Sequence, residues 1–145
     1  MTIPKKPLLQ PTIPKRKCIA LIAHDGKKPA LIRWASQQRR MLSKHTLVGT
    51  GTTAKLVSDS TGLAVKRLLS GPLGGDQQVG AGIATGKIHL VIFFWDPLTA
   101  QPHDPDVKAL LRLAALYQVP VACDATTADF ICSSRFMNTP YKRHW

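Results

Sequence analysis

Glutamate is missing from these 145 residues: all eight acidic side chains are aspartates, against twenty lysines and arginines and a formal charge of +12. That imbalance disfavours cationic partners and favours anionic ones, either phosphorylated metabolites or, non-specifically, nucleic acid. The basic residues are scattered and no interleaving of aromatic with basic residues is visible, so no specific nucleic-acid partner is expected. Steering of a small anion is the more economical reading. Long apolar runs are absent too, none approaching the roughly eighteen residues of a membrane span, so no membrane partner is expected. Cysteine is scarce. Cys18, Cys123 and Cys132 are odd in number, lie in or beside apolar runs and show no metal-ligand spacing. They read as buried thiols of a cytoplasmic chain rather than as a disulfide framework. Residues 1–17, MTIPKKPLLQPTIPKRK, lack the apolar core of a signal peptide and are broken by four prolines, which predicts a flexible basic arm.

What remains is one domain's length with a regular alternation of elements. Apolar stretches at 18–23, 46–48, 63–69, 89–95 and 119–122 predict five buried strands. Helical signals lie between them: 29–42, a helix from the threonines at 50–53 to Gly62, 77–85 ending at Gly86, and one opening near Asp104. In that last helix Val107, Leu110, Leu111 and Ala114 repeat at helical spacing. Strands alternating with helices predict a single doubly wound α/β domain, flavodoxin-like, with a mainly parallel sheet and helices on both faces. There is no internal repeat. In such sheets the loops after the strands gather at one edge, where ligands bind.

Each of those loops carries chemistry. His24-Asp25 follows the first strand, with Lys27 and Lys28 beyond. Gly49-Thr50-Gly51-Thr52-Thr53-Ala54 fits a dinucleotide fingerprint weakly, because the acidic residue expected after the next strand is absent. What is left is a turn with backbone amides, three threonine hydroxyls and a helix N-terminus, which suits one phosphate; a threonine-capped helix is the alternative. Ser70-Gly71-Pro72-Leu73-Gly74-Gly75-Asp76 is a turn-rich loop ending in a carboxylate. Asp96, His103, Asp104 and Asp106 fall within eleven residues. Capping would explain Asp104 alone, but a strand-end aspartate together with a histidine that can exchange protons near neutrality points to a site.

The segments LIAHDGKK, VGTGTTAKL, SGPLGGDQQVGA, IFFWDPL and PHDPDVKALLRLA closely resemble the methylglyoxal synthase family, in the same order and at similar spacing across residues 18–134. The resemblance implies an α/β/α fold, assembly as a homohexamer, no cofactor and no metal, and a lyase converting dihydroxyacetone phosphate to methylglyoxal and inorganic phosphate, with phosphate also a regulator. It implies that Asp76 removes a substrate proton, that His103 and Asp106 handle protons on the enediolate oxygens, and that His24 and Asp96 line the pocket. Lys28, Thr50, Thr52, Thr53, Ser70 and Gly71 would hold the phosphate.

Two departures stand out. Asp124 occupies a place where the family usually has asparagine. Past Ser134 the family continues with a further strand and a longer tail, whereas eleven residues follow here as residues 135–145. Tyr141-Lys142-Arg143 resembles the segment whose arginine reaches a neighbouring subunit's phosphate site, making Arg143 the candidate. The rival reading is a non-catalytic, metabolite-binding regulatory module of the same fold, which would keep the phosphate turn but need no Asp76, His103 and Asp106 together.

Overall fold

The computed structural model describes residues 12–99 and 104–144, with 104–106 described as backbone alone. A first strand, β1 (Thr12–Ile13), precedes the five expected ones: β2 (Cys18–Ala23), β3 (Thr46–Thr50), β4 (Val65–Leu68), β5 (Leu90–Phe94) and β6 (Val121–Ala122). These five form one sheet in the order β4-β3-β2-β5-β6, every neighbouring pair parallel. The chain runs outward from central β2 to β4 and returns to β5 on the other side. The carboxyl ends of β2 and β5 therefore flank the switch point where such folds bind ligands.

Continuous apolar runs make the central strands, and their two-residue period feeds two cores. Ile19, Leu21, Leu90, Ile92 and Phe94 pack with Leu31, Trp34 and Val57 on one face. Ala20, Ile22, Val91 and Phe93 pack with Val79, Ile83 and Leu110 on the other. The first layer is α1 (Lys28–Gln37), α2 (Arg39–Leu42), α3 (Gly51–Thr61) and α6 (Ala125–Cys132); the second is α4 (Gly75–Ala84) and α5 (Asp104–Leu116). The helix expected over 29–42 is thus two, parted at Gln38. The doubly wound parallel fold is as read from the alternation. All three cysteines are free thiols, Cys132 being pushed up to about 12 by burial. Among the described residues no helix is long and apolar enough to cross a membrane.

Residues 12–17 differ from the arm that the prolines predict. Thr12–Ile13 pairs antiparallel with β7 (Tyr141–Lys142), and Ile13 is buried. Lys17 is buried as well, its ammonium donating to the carbonyls of Pro14 at 2.9 Å, Thr139 at 3.1 Å and Met137 at 3.3 Å. One cation thereby ties the start of the described chain to its end. Pro4, Pro7 and Pro11 lie outside the described residues.

Two histidines close the same amino edge of the sheet. His45 Nδ1 accepts the Lys17 amide at 3.0 Å and His89 Nδ1 accepts the Cys18 amide at 2.9 Å. Burial, reinforced by nearby Lys17, holds both below the ordinary histidine value. Protonating either ring would remove the acceptor. Because the unfolded chain binds those protons more readily, the stability they support is full above the unfolded value of about 6.5 and is lost as pH falls toward their lower folded values. Thermal midpoints should therefore begin to drop below about pH 6.5, and less steeply in the double variant His45→Asn/His89→Asn, whose amides can accept the same N–H groups. An unchanged slope in that variant would assign the loss to other groups.

Candidate active site

A cleft of about 910 Å³ opens where β2, β3 and β4 end, and the start of α4 closes its floor. Three segments build it. The first follows β3: Thr50 is extended, Gly51 turns at φ 50°, and α3 begins at once. Thr50 makes no side-chain cap bond, so it does not close off the helix end itself. First-turn amides have no partner within their own helix and carry partial positive charge, which makes this end suitable for an anion.

The second segment is the loop from Leu69 into α4. Its carbonyl at Leu69 accepts the Gly51 amide at 3.1 Å, which clamps the loop to the Thr50–Thr53 turn. The Leu69 amide in turn donates to Gln78 Oε1 at 2.7 Å. Ser70 leads a short 3-10 turn over Gly71–Leu73, and its carbonyl accepts the amides of Leu73 and Gly75. At Gly75 the approach is so close that an added Cβ would fall on the Leu69 carbonyl oxygen. Asp76 follows in the first turn of α4 and is only 4 % exposed.

The third segment follows β2. Lys28 donates to Asp25 Oδ1 at 2.7 Å and to Thr52 Oγ1 at 2.9 Å, bridging the end of β2 to the Thr50–Thr53 turn. That hydrogen bond holds the Asp25 carboxyl below its ordinary range. His24 is buried, with its ring edge-on to Phe93 at 5.2 Å. Its Nδ1 accepts the Asp96 amide at 3.1 Å, so in the neutral ring Nε2 carries the proton and is the donor. This bond spans the switch point.

Of the residues singled out from sequence, the structure brings His24, Lys28, Thr50, Thr52, Thr53, Ser70, Gly71 and Asp76 into one cleft. Asp96 stands beside it, fixing His24 through its backbone; its carboxylate accepts the Leu98 amide at 3.2 Å, and the Thr99 hydroxyl holds it below the ordinary range. Asp106 lies in the first turn of α5, and His103 lies outside the described residues. Arg143 is elsewhere: it is buried at the opposite edge of its own chain, its Nε donating to the Gln118 carbonyl at 3.4 Å. Asp124 caps α6 by accepting the Thr127 amide at 2.7 Å and its hydroxyl at 3.0 Å. Arg67 and Gln78 line the cleft without having been anticipated. Arg67 sits on a short, half-exposed edge strand with no motif around it; Gln78 follows Asp76 by only two residues, a helical spacing that turns the two apart and gave no signal.

Comparison with known proteins gives this cleft a context. A family model described as "MGS-like domain" matches residues 30–123. A methylglyoxal synthase of Leptospira interrogans is 61% identical over 132 residues, covering 91% of this chain and 89% of the relative. The chain belongs to the methylglyoxal synthase family. Within that family, the methylglyoxal synthase of Clostridium acetobutylicum is 56% identical over 129 residues, covering 89% of each. The crystal structure of a methylglyoxal synthase from Elizabethkingia anophelis superposes with a TM-score of 0.87 at 56% identity, over 92% of this chain and 88% of that one. The matched methylglyoxal synthase-like segment runs from within α1 to just past β6. It includes the Thr50–Thr53 turn, the 69–75 loop and Asp76, while His24 and Lys28 lie just before it.

Proposed function

We propose that this chain is a carbon-oxygen lyase that converts dihydroxyacetone phosphate to methylglyoxal and inorganic phosphate. One observation carries the reading: buried Asp76 shares a cleft with the Thr50–Thr53 turn, Lys28, Ser70 and Gly71. The relatives' names point the same way. Asp76 takes a proton from the hydroxymethyl carbon, and the electron pair left behind forms an enediolate on the neighbouring carbonyl. His24 Nε2–H, with His103 and Asp106, serves the developing oxygen charge. Loss of the hydroxyl proton then drives the double bond toward the third carbon, whose bond to phosphate oxygen breaks. Amides and hydroxyls of the turn, with Lys28, receive the departing phosphate. The enol of methylglyoxal remains and takes one proton at its terminal carbon.

Purified protein should release methylglyoxal and phosphate in equal amounts from dihydroxyacetone phosphate. Binding without turnover would favour the regulatory-module reading instead. Activity is expected to survive exhaustive chelation without added nicotinamide, since no step needs either; loss on chelation restored by one divalent metal would overturn this.

In this reading the chain works as a homohexamer in the cytoplasm, with phosphate as product and regulator. Arg143 lies at the far edge of its own chain, so the role the resemblance gives it at a phosphate is in a neighbouring subunit, where its planar fork suits two phosphate oxygens. Mixing Arg143→Ala with Asp76→Asn subunits should restore activity at interfaces that unite an intact arginine with an intact base. No recovery after verified exchange would remove Arg143 from the site.

A further inference from the structure

The cleft does not account for the excess positive charge. Six of the eight aspartates, at 25, 76, 96, 104, 106 and 124, follow strands or open helices on the carboxyl side of the sheet. Asp59, in α3, pairs with Lys55 at 3.7 Å. Asp129, in α6, accepts from Trp34 Nε1 at 2.9 Å and Gln38 Nε2 at 3.0 Å. The amino edge is different. Exposed Lys15 and Arg16 lead into β2, exposed Lys44 into β3 and exposed Lys87 into β5. These are adjacent strands, roughly 4.8 Å apart. Exposed Lys142 lies on β7, and Arg135 on the turn before it. Buried His45 and half-buried His89 here feel lysine and arginine charges and, among the described residues, no carboxylate.

Folding also assembles what the linear sequence does not display. The Arg135 guanidinium lies over the Phe136 ring at 4.9 Å, Tyr141 meets that ring edge-on at 4.9 Å, and His144 meets Tyr141 at 6.2 Å. Phe136 is 40% exposed. Aromatic and basic groups are therefore interleaved in space, next to a row of cations with no salt bridge among the described residues.

We propose that this amino edge binds single-stranded nucleic acid, with phosphates along Lys15, Arg16, Lys44, Lys87 and Lys142 and a base stacked on Phe136. An exposed ring among cations fits an unstacked base, whereas a paired duplex hides its ring faces and a bilayer surface offers charge alone. Recognition is by backbone charge and stacking, hence without sequence preference. The cleft of the same chain lies at the other end of the strands, and Arg143, which the lyase reading sends to a neighbouring subunit, is not among the proposed contacts.

The test is fluorescence anisotropy of the full chain with a labelled oligouridylate of about twelve nucleotides, within the roughly 4–16 that compact single-strand-binding folds cover. The logarithm of affinity should fall linearly with the logarithm of salt concentration. Lys44→Gln/Lys87→Gln should flatten that slope by roughly 0.7 for each lysine lost and leave lyase activity unchanged. Phe136→Ala should weaken binding about tenfold or more at an unchanged slope. Lys5→Gln/Lys6→Gln, which touches none of the proposed contacts, should retain most of the affinity. The proposal is overturned by no salt-dependent binding, by loss on changing Lys5 and Lys6 but not Lys44 and Lys87, or by a silent Phe136→Ala. Equal affinity for a duplex of the same length, or stronger binding to phosphatidylserine vesicles than to the oligonucleotide, would also overturn it.

Discussion

Asp76→Asn is expected to lower turnover of dihydroxyacetone phosphate roughly 10²–10⁴-fold, the usual contribution of a positioned general base. The amide keeps the shape of the side chain but cannot accept the substrate's proton. Folding should not suffer, because Asp76 itself is almost closed to solvent and a neutral amide is easier to bury than a carboxylate. A thermal midpoint at or above that of the unaltered chain, with affinity for an unreactive phosphate-bearing analogue retained, would place the loss in the chemical step. Near-native turnover would make Asp76 a helix-opening residue and move the search for the base to Asp106.

Gly75→Ala should be nearly as damaging, for a mechanical reason. A methyl group there would meet the Leu69 carbonyl oxygen and approach the Ser70 carbonyl carbon to 2.9 Å, and both are backbone atoms that cannot swing aside. Relief requires the loop to shift. That shift strains the bonds from Gly51 to Leu69 and from Gly75 to Ser70, the two that hold the phosphate turn, the serine and the base in register. A displacement of about 1 Å between reacting groups can cost on the order of 10²-fold in rate. Overpacking of this kind also destabilises by about 1–3 kcal/mol. Gln77→Ala, an exposed change one residue beyond the base, is the control and should be close to neutral. If Gly75→Ala kept activity within a few-fold of the unaltered chain, the loop would not be the rigid part described.

These two residues also show what was legible from sequence. Asp76 and the phosphate turn stood out because every part lies in a short stretch after a strand, and a parallel sheet brings such stretches to one edge. The Leu69–Gly75 contact was not readable, since a glycine in a turn-rich loop announces flexibility rather than the carbonyl that excludes its Cβ. Lys17 is a sharper case. Local composition made it part of a flexible arm, yet its carbonyl partners at Met137 and Thr139 are more than a hundred residues away. Asp124 read only as a departure from the family's usual asparagine, whereas the threonine three residues on makes it a helix cap. The charge excess read as steering for a small anion. The structure instead sets a row of exposed cations at the edge opposite the cleft, which net charge alone could not locate.

The central claim is elimination of phosphate from an enediolate, and the label pattern of the product tests it most directly. Dihydroxyacetone phosphate turned over by the purified chain in heavy water should give phosphate and methylglyoxal in equal amounts, with a single deuterium in the product's methyl group, because its terminal carbon takes one solvent proton after phosphate leaves. Phosphate accompanied by dihydroxyacetone would show hydrolysis at the phosphoryl bond and would contradict the account.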